Sequence, residues 1–381
     1  MSDFDFDQLI DRSQSSSEKW LKYAGTDILP MWVADTDFVS PPAVVDALQA
    51  RVAEGVFGYT ATPEGLNQVF IDRMQRMYGW TVNAQELVWL PGLVSGLNLA
   101  TRACCEPNQS VVTATPIYPP FMSAPKLSER ELIRVPMTEA HPNSLIDFTA
   151  LETAITANTR LLLFCNPHNP GGAVYSPEAL EQLAKIIVKH DLLVCSDEIH
   201  CDLILEPELQ HTPLASLNLE IARRTITLMA PSKTWNIAGL ACSVAIIQDP
   251  DLRARFARVR RGIVPSVNLL GFTAAEAAYR DGDRWNAEQL KYLKGNRDYL
   301  VEMINSIPGL SMAANQATYL AWIDATDTQL EHPHAFFEAA GVGLSDGKDF
   351  GAPGWVRLNF GCPRSRLEEA VRRMKNAIAK K

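Results

Sequence analysis

The sequence lacks the features of membrane, secreted and nucleic-acid-binding proteins. The longest apolar stretches, at 161–165 and 243–247, are far shorter than the roughly 18 residues of a membrane span. The first twenty residues have neither the basic nor the apolar region of a signal peptide. Lysine and arginine number 35 against 44 aspartates and glutamates, so the net charge is −9. We therefore expect a cytoplasmic protein that binds neither membrane nor nucleic acid.

Cysteine is sparse and follows no ligand or disulfide pattern. The chain has 7 cysteines, an odd number, and none of them forms a CxxC pair. This usage is typical of reduced, buried thiols in a cytoplasmic protein. Cys195, His200 and Cys201 lie close together in the sequence, but no second ligand pair occurs at the spacing of a zinc site. The sequence therefore predicts no metal centre.

The composition is that of a soluble globular protein large enough for two domains. The 381 residues are 47% apolar and 21% charged. Short runs rich in valine, isoleucine and leucine alternate with helical patterns, which favours an α/β fold with a mostly parallel, buried sheet. These predicted strands lie at 86–90, 110–115, 160–164, 192–196, 225–229 and 241–247.

Three of the predicted helices have clear signals at their ends. Ser176 and Pro177 suit the N-cap and first position of a helix. Ser365 and Glu368 have the spacing of a capping box before the last helix. A long charged helix is expected at about 285–305, and we expect it to lead from the sheet domain into a smaller one.

Chemically distinctive residues follow the predicted strands, where ligands bind in open α/β sheets. Glycines at 92 and 96 form either a tight turn or a phosphate cradle, and Tyr118 either packs or stacks on a ring. Asn169 belongs to a proline-rich turn that presents an amide, and Asp197 and Lys233 alone are compatible with loop charges. Together, an aspartate and a lysine at neighbouring strand ends are the pair that pyridoxal phosphate requires.

Four motifs give a more specific result. The segments NPHNPGG (166–172), SDEIH (196–200), SKTWNIAGL (232–240) and VRLNFGCPR (356–364) resemble those of the class I/II pyridoxal-phosphate aminotransferase superfamily of fold type I. The segments MWVADTDF (31–38) and FGYT (57–60) resemble its MalY/PatB branch of cystathionine β-lyases, or C–S lyases. This resemblance implies a homodimer. Each chain would have a large cofactor-binding domain at 48–283, with a seven-stranded, mostly parallel sheet flanked by helices, and a smaller α/β domain formed by 1–47 with 284–381.

The resemblance also implies a role for each candidate residue. Lys233 would be the catalytic residue and would hold the aldehyde of pyridoxal 5′-phosphate covalently. Arg357, with Asn169, would bind the carboxylate of an amino-acid substrate. The cofactor itself would be bound by Leu93, Val94, Tyr118, Asn169, Asp197, His200, Ser232 and Lys233, and by Tyr59 of the neighbouring subunit.

Three positions depart from the related patterns. His200 stands where aminotransferases commonly have tyrosine, and Ala241 stands where they have a phosphate-binding arginine. Thr36 replaces the methionine of the lyase branch and leads to no conclusion. The first two departures favour a C–S β-lyase that converts L-cystathionine or L-cysteine-like substrates to pyruvate, ammonia and a thiol. The alternative is an aminotransferase, and a regulatory protein contact is compatible with either enzyme.

Overall fold

A computed structural model describes residues 4–138 and 145–381. Within them the chain forms thirteen strands and thirteen α-helices, apart from short 3-10 turns. The strands are Leu29–Pro30 (β1), Leu87–Leu90 (β2), Ser110–Thr115 (β3), Glu131–Pro136 (β4), Thr159–Cys165 (β5), Leu193–Asp197 (β6), Thr225–Met229 (β7), Ser243–Ile247 (β8), Ser311–Met312 (β9), Leu320–Asp324 (β10), Val342–Gly343 (β11), Ser345–Asp346 (β12) and Trp355–Asn359 (β13).

The helices alternate with these strands along the chain. They are Glu18–Leu21 (α1), Pro42–Ala53 (α2), Glu64–Tyr78 (α3), Leu93–Cys104 (α4), Pro120–Leu127 (α5), Phe148–Ala154 (α6), Pro177–Lys189 (α7), Leu219–Arg224 (α8), Pro250–Arg260 (α9), Leu269–Asp281 (α10), Asp283–Asn305 (α11), Pro333–Ala339 (α12) and Arg364–Ala379 (α13). None of the described helices is long and apolar enough to cross a membrane.

Seven strands form the central sheet in the order β2-β8-β7-β6-β5-β3-β4. β8 runs antiparallel to both of its neighbours, and the other pairings are parallel. The predicted α/β fold with a mostly parallel seven-stranded sheet is confirmed. Alternate residues of β5 face opposite layers, so that Leu161 and Leu163 pack towards α4 and α9 while Leu162 and Phe164 pack towards α7.

The apolar runs predict six of the seven strands to within two residues at each end. They miss β4, which pairs only with β3 at the edge of the sheet. A single residue of β4, Val135, is fully buried, and the strand is mostly half-buried or exposed. An edge strand with one solvated face does not need the continuous apolar run by which the buried strands are recognised.

The predicted helix ends have mixed outcomes. Ser176 caps α7, because its side chain accepts a hydrogen bond from the Ala179 N–H at 3.3 Å. The predicted capping box of the last helix is wrong. α13 begins one residue before Ser365, its N-cap is Pro363, and no side chain caps it. Proline at that position has extended backbone geometry, so the chain enters the helix earlier than the box would require.

A second, smaller sheet is built from the C-terminal part of the chain. It has the order β12-β13-β10-β9, and β1 pairs separately with β11 in parallel. The long helix predicted at 285–305 is confirmed as α11. The division into domains at 48–283 and at 1–47 with 284–381 stays a prediction, and its first boundary lies within α2.

Candidate active site

The carboxyl ends of the central strands surround a cavity of about 290 Å³. Each strand end contributes because parallel strands end at the same edge of the sheet. The structure brings together eight of the predicted cofactor residues in its wall, namely Leu93, Val94, Tyr118, Asn169, Asp197, His200, Ser232 and Lys233. The other members of the wall are Ala34, Gly92, Ser95, Cys165, Ile199 and Ala238.

Lys233 is placed in the cavity by the turn that follows β7. Its Nζ donates a hydrogen bond to the Ala34 carbonyl at 2.7 Å. Burial lowers the pKa of Lys233 to about 8, and the positive charge of Arg357 acts in the same direction. A lysine with such a pKa is partly a free amine near neutral pH, which suits it to attack a carbonyl.

Asp197 is the last residue of β6 and is almost fully buried. Burial raises its pKa to about 7, the neighbouring Glu198 acts in the same direction, and the Ile199 N–H, which donates to Oδ1 at 3.1 Å, opposes the shift. No cation forms an ion pair with it among the residues described. A carboxylate in this position requires a cationic partner, and the protonated nitrogen of a pyridine ring is one.

Arg357 does not line the cavity itself, but it is hydrogen-bonded to Asn169, which does. Arg357 Nη1 donates to the Asn169 side-chain oxygen at 2.9 Å, and Nη2 donates to the Trp32 carbonyl at 3.1 Å and to Ser345 Oγ at 3.3 Å. The guanidinium also lies 4.7 Å from the centre of the Phe350 ring. Its buried Nε has no hydrogen-bond partner among the residues described. The guanidinium is therefore fixed in orientation by its other two nitrogens.

His200 and Tyr118 provide the aromatic part of the wall. Burial lowers the pKa of His200 to about 3, and the charges of Lys233 and Arg357 add to this effect, so the imidazole is neutral. Its Nδ1 has no hydrogen-bond partner in the part of the chain that the structure describes. Tyr118 is half-buried and its N–H donates to the Asn169 carbonyl at 3.1 Å. Both rings are available for contact with a planar ligand.

Backbone at the start of α4 forms the end of the cavity that suits a phosphate. Leu93 and Val94 begin this helix, whose first N–H groups are without intrahelical partners. Gly96 lets the helix approach β7, because a Cβ there would lie 2.9 Å from the Leu228 methyl carbons. Ala241 does not line the cavity, and neither does an arginine from the described part of the chain.

Tyr59 is the one predicted cofactor residue that does not line the cavity. Its side chain is fully exposed. The single chain therefore does not bring Tyr59 to its own site, which agrees with its assignment to a neighbouring subunit but does not test it.

The segment 33–38 contributes Ala34 to the cavity wall, and the sequence predicted no role for it. The Ala34 carbonyl accepts hydrogen bonds from both Lys233 Nζ and the Tyr319 hydroxyl, the latter at 3.1 Å. The Asn236 side chain accepts a hydrogen bond from the Thr36 N–H and donates one to the Thr36 carbonyl, each at 3.1 Å. The same side-chain amide also donates to the Phe38 carbonyl at 2.8 Å. The only signal was the MWVADTDF motif itself, because backbone acceptors have no side-chain signature.

The residues in the wall fit pyridoxal phosphate. A reactive lysine, an uncompensated buried aspartate and a helix start face one cavity, which matches an aldehyde, a ring nitrogen and a phosphate. Among the residues described, no group of three or more histidines, cysteines, aspartates or glutamates is arranged to hold a metal ion.

Comparisons with known proteins agree with this site. Residues 27–374 match the family described as aminotransferase class I and II. The chain belongs to this aminotransferase family. Among its members, cystathionine beta-lyase PatB of Bacillus subtilis (strain 168) is 37% identical over 388 residues, covering 98% of this chain and 100% of PatB.

Solved structures superpose over nearly the whole chain. A crystal structure of OvoB has a TM-score of 0.97 at 52% identity and covers 99% of this chain and 100% of OvoB. A PLP-bound C–S lyase from Staphylococcus hominis has a TM-score of 0.93 at 31% identity and covers 98% of both chains. These matches establish the resemblance to the C–S lyase branch.

Proposed function

We propose that the chain is a pyridoxal-phosphate-dependent C–S β-lyase. The observation that carries this proposal is a cavity lined by both Lys233 and Asp197, whose pKa values are strongly shifted, with the guanidinium of Arg357 bonded to Asn169 in its wall. Support for the lyase reaction comes from the similarity to PatB and to the Staphylococcus C–S lyase. The substrate class is an amino acid with a thioether on Cβ, such as L-cystathionine.

Different residues of the wall would bind different parts of the cofactor. Lys233 would attach the aldehyde, and Asp197 would pair with the ring nitrogen. Asn169 accepts from Arg357 through its oxygen, which leaves its amide N–H to donate to the phenolic oxygen. Tyr118 and His200 contact the ring, while Leu93, Val94 and Ser232 bind the phosphate.

A homodimer completes the phosphate site in this proposal. The phosphate carries negative charge, and among the residues described the wall at that end provides backbone dipoles and the hydroxyls of Ser95 and Ser232 but no arginine. Val56, Phe57, Tyr59 and Ile263 are all at least 60% exposed, which is unusual for large apolar side chains and typical of a subunit interface. Tyr59 of each subunit would reach the phosphate of the other.

Pyridoxal phosphate supplies a cationic ring that accepts the electron pair left on the substrate Cα. Arg357 binds the α-carboxylate and so fixes the Cα–H bond relative to the ring. Lys233 lies in the cavity wall and would take the Cα proton as a general base. The Cβ–S bond then breaks, the sulfur leaves with its electron pair as a thiolate, and the remaining three-carbon enamine hydrolyses to pyruvate and ammonia.

An aminotransferase is the second candidate, because the same residues serve both reactions up to removal of the Cα proton. The family description favours it. A structure that is 35% identical to this chain is also described as a putative aminotransferase.

Pyruvate release separates the two. We expect purified protein to form pyruvate and homocysteine together from L-cystathionine without an added keto acid. Amino-group transfer that requires a keto acid, with no pyruvate formed in its absence, would identify an aminotransferase instead.

A further inference from the structure

A second buried carboxylate lies directly beside Asp197. Glu198 is completely buried and accepts three hydrogen bonds. They come from Ser196 Oγ at 2.7 Å, from the Leu214 N–H at 3.1 Å and from His211 Nε2 at 2.7 Å. Three donors that converge on one carboxyl group favour its negative form. The cavity wall does not include Glu198, and the proposed reaction does not use it.

His211 is one of the two side chains that are hydrogen-bonded to Glu198, and the other is Ser196. His211 is almost fully buried, and its Nδ1 has no hydrogen-bond partner among the residues that the structure describes. With the proton on Nε2, the neutral ring donates to Glu198 and leaves only a lone pair unpaired. The imidazolium form would bury an unpaired N–H in addition, which costs more. The geometry therefore favours a neutral His211 and a net negative charge on the pair.

We propose that Glu198 is a positioning residue of the cofactor site, whose negative charge, maintained by His211, acts with Asp197 to keep the ring nitrogen protonated. This inference rests on the proposed cofactor site. Glu198 touches neither substrate nor cofactor and acts through the adjacent Asp197. Two negative charges stabilise a nearby cation more than one, and the effect is strong in a site with little water.

The other charged groups near the pair leave this charge uncompensated. His211 lines a second cavity together with Tyr78, Cys201 and Asp202. The Tyr78 ring meets the His211 ring edge-on at 5.6 Å. Arg73 is the cation of this cavity, and it is already paired with Asp202 and Asp283, each at 2.6 Å.

Burial raises the pKa values of Tyr78 and Cys201, so both are neutral. On the cofactor side the nearest cation is Lys233, which the cofactor aldehyde would take up. Glu206 also lines the His211 cavity, but it is paired with Arg297.

A cofactor analogue tests the proposal without any turnover. 4′-Deoxypyridoxine 5′-phosphate lacks the aldehyde oxygen and cannot attach to Lys233, and its ultraviolet absorbance reports whether its ring nitrogen carries a proton. The cofactor is removed from the full-length protein and the analogue is bound in its place. The complex is then titrated with base. We expect the deprotonation midpoint in Glu198→Gln to fall by about one pH unit relative to the parent protein, the size of shift that one nearby charge causes.

Substitutions of His211 separate charge from packing. His211→Gln retains an Nε2 donor to Glu198, and we expect the parent midpoint. His211→Leu removes this donor and leaves the negative charge of Glu198 with one hydrogen bond fewer to maintain it, so we expect the midpoint to fall as in Glu198→Gln. The matched control is His190→Leu, because His190 forms the same kind of bond to Glu152, at 3.2 Å, in a half-buried position at the end of α7. This control should not change the midpoint.

Each outcome is decisive. An unchanged midpoint in both Glu198→Gln and His211→Leu would overturn the role of Glu198. A higher midpoint in His211→Gln would show that His211 carries a compensating positive charge and would also overturn it. If Glu198→Gln fails to fold, His211→Leu decides alone. If the parent protein does not bind the analogue at all, the proposed cofactor site fails rather than this inference.

Discussion

At the scale of single residues, Lys233 has the chemistry on which the proposed reaction depends most. Lys233→Ala should lose the visible absorbance of covalently held cofactor, and pyruvate release should fall by about 10³-fold or more because both the anchor and the base are removed. Absorbance spectra and a pyruvate assay measure the two effects. Lys185→Ala, at an exposed lysine of α7, should change neither. A retained band would place the anchor elsewhere.

The lowered pKa of Lys233 predicts the pH dependence of cofactor attachment. A group with a pKa of about 8 is mostly protonated below that pH, so the free amine increases up to about pH 9 and then stays nearly constant. The attachment rate should therefore rise about tenfold from pH 7 to pH 9 and level off. A lysine with the ordinary pKa of about 10.4 would instead gain about sevenfold more between pH 9 and pH 10. Stopped-flow absorbance on cofactor-free protein distinguishes the two curves.

Arg357 should govern substrate affinity rather than the cofactor. Arg357→Lys keeps a cation but loses the planar fork, so kcat/KM for L-cystathionine should fall by roughly 10²-fold, mainly through KM, while the cofactor absorbance stays. Steady-state kinetics and spectra of the same samples measure both. If kcat/KM is unchanged, the substrate carboxylate is not bound by Arg357.

At the scale of elements, close packing beside the site makes one glycine necessary. Gly172 has a φ of +72°, and a Cβ there would lie 2.4 Å from the Asn315 Cβ. Gly172→Ala should lower the free energy of unfolding by about 3 kcal/mol, from strain together with overpacking. Gly25→Ala is the matched control, because Gly25 has a φ of +75° and nothing within 4 Å. It should cost only about 1 kcal/mol in urea unfolding. Equal losses would show that the contact with Asn315 does not matter.

Sequence patterns identified elements according to how completely each is buried. β5, β6, β7 and β8 are apolar on both faces and were predicted. The edge strand β4 was not, because its exposed face removes the signal. The capping box of α13 failed for another reason. Ser365 and Glu368 have the spacing of a capping box, but the N-cap of the helix is Pro363, two residues before Ser365.

At the scale of the whole molecule, the proposed dimer can be tested by mixing two inactive proteins. Tyr59→Ala should weaken cofactor binding in the neighbouring subunit, and Lys233→Ala should inactivate its own. Mixed dimers contain one site with both native residues. At limiting cofactor, co-refolded mixtures should therefore regain pyruvate release that neither variant shows alone. No recovery, although mixed dimers are detected by mass spectrometry, would place Tyr59 outside the partner's site.

The amino-acid sequence alone determined the fold class, the cofactor motifs and most residues of the cavity wall. It did so because buried strands, strand-end motifs and a lysine–aspartate pair are local patterns. Only the tertiary structure decided what surrounds them. Three hydrogen bonds join different segments or involve backbone groups. They link Lys233 to the Ala34 carbonyl, Asn236 to the Thr36 backbone and His211 to Glu198. Spacing along a chain contains no information on such contacts, because packing alone sets the distance between segments.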